Sequence, residues 1–250
     1  MKNFKLSILA IGAFLLFSTN TLKAQDQMYW IHVDHVKPAM QSEYEKIAKE
    51  FADACKTYNI PDFTFNTWRH DDGSYVYSSP MKNFADMDKD ALKPLRDKMG
   101  EQKFINLFER FDKCYDKHQN FMVTHKSELS YMPDGKLNEG DFREYYFLYV
   151  TPSQSKAVAE KLKEVKSLFS KKNSKSYFSI LHSGFGTEEE FYVAIVAAKD
   201  EADNIQKGVD NNKLLGEDWR KKWNELFGLL NRYETKTSMF RADLSYSSTK

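Results

Sequence analysis

Six side chains able to do chemistry fall on predicted strands: Trp30, His32, Asp34, Asn66, Trp68 and His182. Indole, imidazole, carboxylate and carboxamide groups together can stack on a flat molecule and hydrogen-bond its edge, the usual make-up of a small-molecule pocket. These six are therefore the candidate ligand-binding residues. A blander reading competes with this one, in which Trp30 and Trp68 simply fill a packed interior. No catalytic residue is assigned, and whether the chain is an enzyme stays open.

Sharper chemistry finds little support in the spacing. His32 and His35 are three apart on a strand, so they point to opposite faces and cannot share a metal. There is no His-x-x-x-His on a helix and no Cys-x-x-Cys, so no metal site is predicted. His70 beside Asp71 and Asp72 reads as a polar hairpin residue. His118, four residues after Cys114, reads as an exposed helix-end histidine, with haem ligation as the alternative. Gly-rich phosphate loops, a Gly-x-Ser-x-Gly elbow and paired-carboxylate motifs are all missing. Cys55 and Cys114 sit on the inner stripes of two predicted helices. A disulfide between them is allowed if their Cα atoms approach within about 7 Å, and otherwise both are buried thiols.

The elements that must position these groups follow from periodicity. Tyr29–Val36 alternates, with Tyr29, Ile31 and Val33 on one face and Trp30, His32 and Asp34 on the other. Pro38 ends the strand, and Ser42 followed by Glu45 gives a capping-box pattern. Tyr44, Ile47, Ala48, Phe51, Cys55 and Tyr58 then recur at helical spacing. Phe63–Arg69 and Ser74–Ser78 flank Asp72-Gly73 as a hairpin. Residues 83–99 read as short helices broken near Pro94, and a helix through Phe104, Leu107, Phe108 and Phe111 leads to a strand over Phe121–Tyr131. Residues 132–142, with two Gly, one Pro and no periodicity, form a linker.

After the linker the pattern restarts, with strands over Tyr145–Val150, Ser176–His182, Glu190–Ala197 and Lys236–Tyr246, and helices after the first and third. Tyr29 falls on Tyr145 and Tyr75 on Phe191 at a shift of 116, and Ser127–Tyr131 matches Ala242–Tyr246 at 115. The expected class is α+β, with two tandem β-α-β-β-α-β units of ferredoxin-like type over residues 25–131 and 143–250.

The stretch IHVDHVKPAMQSEYEKIAKEF, residues 31–51, resembles the opening of the dimeric α+β barrel superfamily, which includes proteins of the antibiotic-biosynthesis-monooxygenase type. The resemblance implies two antiparallel sheets, each with helices on one face, joined into a barrel-like pseudo-dimer. It also implies that Trp30, His32 and Asp34 face the barrel interior, joined by Asn66, Trp68 and His70 if Phe63 and Phe65 lie under the helices, with His182 near the matching strand end. The superfamily has no shared catalytic motif, so no catalytic role is transferred. The function expected is binding of a small molecule between the two sheets, without a resident cofactor. The alternatives are a cofactor-free monooxygenase or haem-handling enzyme, and a structural protein that oligomerises with itself.

The N-terminus speaks to location. Lys2 and Lys5 precede the apolar run Leu6–Phe17, and Leu22-Lys23-Ala24 offers a cleavage site, which is the pattern of a secretory signal peptide over residues 1–24. An exported protein, periplasmic or secreted, is expected. Cleavage removes three lysines and no acid, leaving 34 basic against 36 acidic residues. That balance argues against a nucleic-acid partner, and no later apolar run approaches the length of a membrane span.

Overall fold

The protein is described here by a computed structural model covering residues 26–248. The expected signal peptide lies outside the described residues. Nine strands and six α-helices run in the order β1 (Gln27–Val36), α1 (Gln41–Tyr58), β2 (Thr64–His70), β3 (Tyr75–Met81), α2 (Lys93–Met99), α3 (Glu101–Asp112), β4 (Tyr115–His125), β5 (Phe142–Val150), α4 (Pro152–Lys171), β6 (Phe178–Ser183), β7 (Glu190–Ala198), α5 (Glu201–Leu215), α6 (Glu217–Phe227), β8 (Arg232–Phe240) and β9 (Tyr246–Ser247).

Strands β1 to β8 form a closed antiparallel ring. The order is β2-β3-β1-β4 in the first half and β6-β7-β5-β8 in the second, and the halves are stitched by β4–β6 and β8–β2 pairing. Each seam is short, three residue pairs long, and leaves part of the edges of β4, β2 and β8 beyond it. Helices α1 to α3 pack on the outside of the first half over Tyr44, Ile47, Phe51, Phe65, Tyr75 and Leu107. Helices α4 and α6 cover the second half over Leu148, Val158, Leu162, Phe178, Ile180 and Leu226. A third cluster, including Ile31, Val33, Val123, Phe191 and Val193, fills part of the barrel itself.

The boundaries differ from expectation for identifiable reasons. Helix α1 begins at Gln41 behind a 3-10 turn at Pro38–Met40, and no side chain caps it. The expected Ser42–Glu45 capping box does not form. Glu45 instead accepts from the Tyr75 hydroxyl at 2.6 Å and pairs with Arg241 from the far end of the chain. Strand β4 starts at Tyr115, six residues earlier than expected, which puts His118 in a strand and not at a helix end. Gly216 separates α5 from α6 where one helix was expected. Tyr75 lies under the helices while Phe191 lies inside the barrel, so the constant shift that aligned them is off by one at that strand.

Beyond β4 and β8 the chain crosses to the opposite half. Leu129 and Tyr131 pack into the outer core of the second half, and Leu244 and Tyr246 into that of the first. The Ser130 hydroxyl accepts from Ile180 N at 2.8 Å and donates to Lys126 O, while that of Ser245 accepts from Thr67 N at 2.9 Å and donates to Arg241 O.

Candidate functional site

The barrel encloses a cavity of about 300 Å³. Its wall is mostly apolar, with Ile31, Val33, Val123, Phe147, Leu181 and Val193 as typical members. A few polar groups interrupt that wall, chiefly Asn66, Ser78, His125, Arg143 and Ser179, and Leu137 from the connection between β4 and β5 completes it. Large apolar space with a few polar groups is the ordinary form of a small-molecule site.

The faces of β1 are reversed from expectation. Tyr29, Ile31 and Val33 point into the barrel, whereas Trp30, His32 and Asp34 lie on the outer side. The reason is pairing. Asp34 is only 3% exposed, and a carboxylate so buried needs donors that the apolar barrel cannot supply. On the outer face Tyr44 of α1 donates to Asp34 Oδ2 at 2.6 Å, and His32 Nε2 lies 2.9 Å from Oδ1. The other ring nitrogen of His32, Nδ1, lies 2.8 Å from Asn120 Oδ1. Burial opposes the charge on His32, but Asp34 and Asn120 outweigh it and raise the imidazole above its usual range. Trp30 is half-buried on the same outer side, opposite Ser79 and Met122 in the ladders.

His182 also lies outside the barrel. It stacks on Tyr192 with ring centres 4.4 Å apart and pairs with Glu190 at 3.0 Å. Asn66 and Trp68 do line the cavity, with Phe65 turned to the helices. The six candidates are therefore divided, two at the cavity and four elsewhere. His70 does sit at the hairpin, at the end of β2, and is buried there. Neither ring nitrogen has a hydrogen-bond partner, its ring lies against Tyr145 with centres 5.2 Å apart, and burial pushes its pKa down to about 4. Cys55 and Cys114 are free buried thiols, not a disulfide. Burial pushes the Cys55 thiol up to about 12, and Cys114 Sγ donates to Arg110 O at 3.4 Å.

Two cavity residues were not singled out from the sequence. His125 ends β4, and its Nε2 lies 3.0 Å from the Ser130 hydroxyl. That hydroxyl already donates its proton to Lys126 O, so His125 must donate from Nε2, leaving Nδ1 as a lone-pair acceptor. Burial lowers the His125 pKa and favours this neutral form. The only hint in the sequence was its place two residues after Val123 on the inward face. Arg143 opens β5. Its guanidinium lies over the Trp68 ring, 5.0 Å from the centroid, and Nη1 donates to Gly140 O at 2.6 Å and Phe142 O at 2.8 Å. Next to the expected linker it carried no periodic signal.

A second cavity, about 320 Å³, lies between the outer face of the second half and helices α4 to α6. Its polar groups are largely paired with protein. Tyr146 and Asn204 both donate to Glu144 at 2.6 Å, and Asn211 accepts from Ser174 at 2.6 Å. Among the described residues that wall holds no histidine or cysteine, while the barrel wall holds His125, engaged at Nε2 and open at Nδ1. Among the described residues no group of three or more His, Cys, Asp or Glu could hold a metal ion. No described helix is long and apolar enough to cross a membrane.

No protein-family model matches the chain, and no curated protein matches it. Solved structures do. An anthrone oxidase-like protein aligns with a TM-score of 0.59 at 11% identity, over 91% of this chain and 96% of that one. A Lactobacillus acidophilus protein provisionally named a monooxygenase aligns at 0.52 and 12%, over 86% and 94%. A point mutant of chlorite dismutase from Candidatus Nitrospira defluvii aligns at 0.53 and 8%, over 86% and 92%. At such identities the likeness concerns fold. That fold, with its closed eight-strand ring, is of the dimeric α+β barrel type.

Proposed function

We propose that this protein binds a small, largely apolar molecule inside its barrel. The observation that carries the reading is the cavity of about 300 Å³, where packed side chains would otherwise meet. Interiors are close-packed as a rule, so a space this large has a use or a cost. The test is thermal unfolding with 2-naphthamide, a neutral probe of suitable size. A ligand that binds only the folded state at a hundredfold its Kd stabilises by about 2.7 kcal/mol, roughly 5–10 °C for a chain of this size. The shift should vanish in Val193→Phe, which fills the space. No shift in the natural protein, or an equal shift in the variant, would overturn the reading.

The same proposal includes duplication. The matching strand orders, the two seams and the like roles of Ser130 and Ser245 support two ferredoxin-like units acting as a pseudo-dimer. Superposing the halves of a crystal structure tests this, since a common trace should emerge strand for strand. Export rests on residues 1–24 alone, and a mature protein beginning at Gln25 in intact-mass measurement is the expected outcome. Homo-oligomerisation is likewise a proposal, to be read from the mass in solution.

A further inference from the structure

Among the described residues, Arg143 alone brings a permanently charged side chain to the cavity wall, and no Asp or Glu lines it. Among the described residues no carboxylate lies within ion-pair distance of it. The guanidinium is nevertheless held in place, by the Trp68 ring on its face and by two carbonyl acceptors on Nη1. Among the described residues Nε and Nη2 have no hydrogen-bond partner. The carbonyl of Gly140 is fixed in turn, because Gly140 adopts φ +121° and passes so close to Ala198 that a Cβ would stand 2.0 Å from its carbonyl oxygen. Burial also works against the charge on Arg143, and the attraction of Tyr145 and Asp141 offsets it only in part. A partly buried cation that is oriented but unpaired is costly unless something else neutralises it.

Resting on the barrel-site reading above, we infer that the molecule bound there is an anion, a carboxylate on an apolar body, with the carboxylate on Arg143 and the body among Ile31, Val123, Leu181 and Val193. The planar guanidinium suits two acceptor oxygens side by side, a geometry that carboxylates supply and amides do not. Trp68 offers a flat surface beside the charge. The competing role is purely structural, in which Arg143 ties Gly140 and Phe142 to the end of the barrel and takes no ligand.

Isothermal titration with 2-naphthoate and 2-naphthamide separates the two, since the probes share shape and differ in charge. The natural protein should bind the carboxylate at least tenfold more tightly. Arg143→Gln should bring the two within about threefold of each other. Arg143→Lys keeps the charge without the fork and should retain only part of the preference. Equal binding of the two probes by the natural protein would overturn the anion inference and leave the cavity reading standing, with no variant needed. A preference that survives Arg143→Gln would overturn it as well. Binding of neither probe would remove the cavity reading and this inference with it.

Discussion

Tyr44 donates a 2.6 Å hydrogen bond to the buried carboxylate of Asp34, and this pair ties α1 to the outer face of β1. The Tyr44 hydroxyl also lies 2.9 Å from that of Tyr77. Its removal leaves Asp34 facing His32 alone. A hydrogen bond to a charged group is worth about 1.5–3 kcal/mol. Tyr44→Phe should therefore lower the unfolding free energy by about that much in urea titration, with the slope unchanged. A loss below about 0.5 kcal/mol would mean that the pair does not orient the strand.

His70 and His32 should respond to pH in opposite senses. The pKa of His70 is depressed to about 4, first by burial and then by Lys236, against the pull of Asp72 and Asp71. The unfolded imidazole titrates near 6.5, so the folded state is fully favoured above that value and loses stability as pH falls towards 4. The shift corresponds to a loss on the order of 3 kcal/mol. His70→Phe, which keeps a ring against Tyr145, should flatten the profile between pH 6.5 and 4. An unchanged acid limb would show that His70 is solvated in solution.

For His32 the folded pKa is raised, so its contribution is complete below the unfolded value and fades as pH rises through the folded one. His32→Gln should accordingly cost more at pH 5.5 than at pH 8.5 when unfolding is followed by circular dichroism. A deficit that grows with pH would contradict the pairing of His32 with Asp34.

The division between what the sequence revealed and what it hid has a physical pattern. Element order was readable because apolar residues repeat at periods 2 and 3.6, and the inner stripe of α1 matches Tyr44, Ile47, Ala48, Phe51 and Cys55. Alternation along β1 separated two faces correctly but could not say which was inside. In a closed barrel with helices outside, both faces are covered, and the polar one goes where partners stand. For Asp34 that partner, Tyr44, is 10 residues away on α1. In β2 the alternation left the parity open, and the packing of Phe65 under the helices is what sends Asn66 and Trp68 inward. Arg143 was hidden because its role depends on Trp68 from the other half, and His125 because its partner Ser130 lies just past the strand end without any periodic signal.

Ser130 and Ser245 should cost alike. Each is buried, each accepts from a backbone N–H of the neighbouring half, and each donates to a carbonyl four residues earlier. Replacing either by Ala leaves a buried amide without its partner, a penalty of about 1–3 kcal/mol. Losses of similar size for Ser130→Ala and Ser245→Ala, the former somewhat larger because His125 also loses its partner, are the expected outcome of chemical denaturation. A large loss at one and none at the other would break the equivalence on which the proposed duplication leans.

Two glycines should respond in opposite directions to the same substitution. Gly140 combines a positive φ with the close approach to Ala198, so Ala there is strained by both backbone and contact. Strain of this kind costs about 1–3 kcal/mol, and because Gly140 O holds Arg143, the carboxylate preference should weaken along with the melting temperature. Gly208 sits within α5 on the wall of the second cavity, and a Cβ there meets nothing within 4 Å. Helical Ala is favoured over Gly by about 0.8–1.0 kcal/mol, so Gly208→Ala should stabilise the chain slightly. Stabilisation at Gly208 together with loss at Gly140 is the outcome that ties the β4–β5 connection to the cavity. Tolerance of Ala at both positions would mean that this connection moves freely and does not orient Arg143.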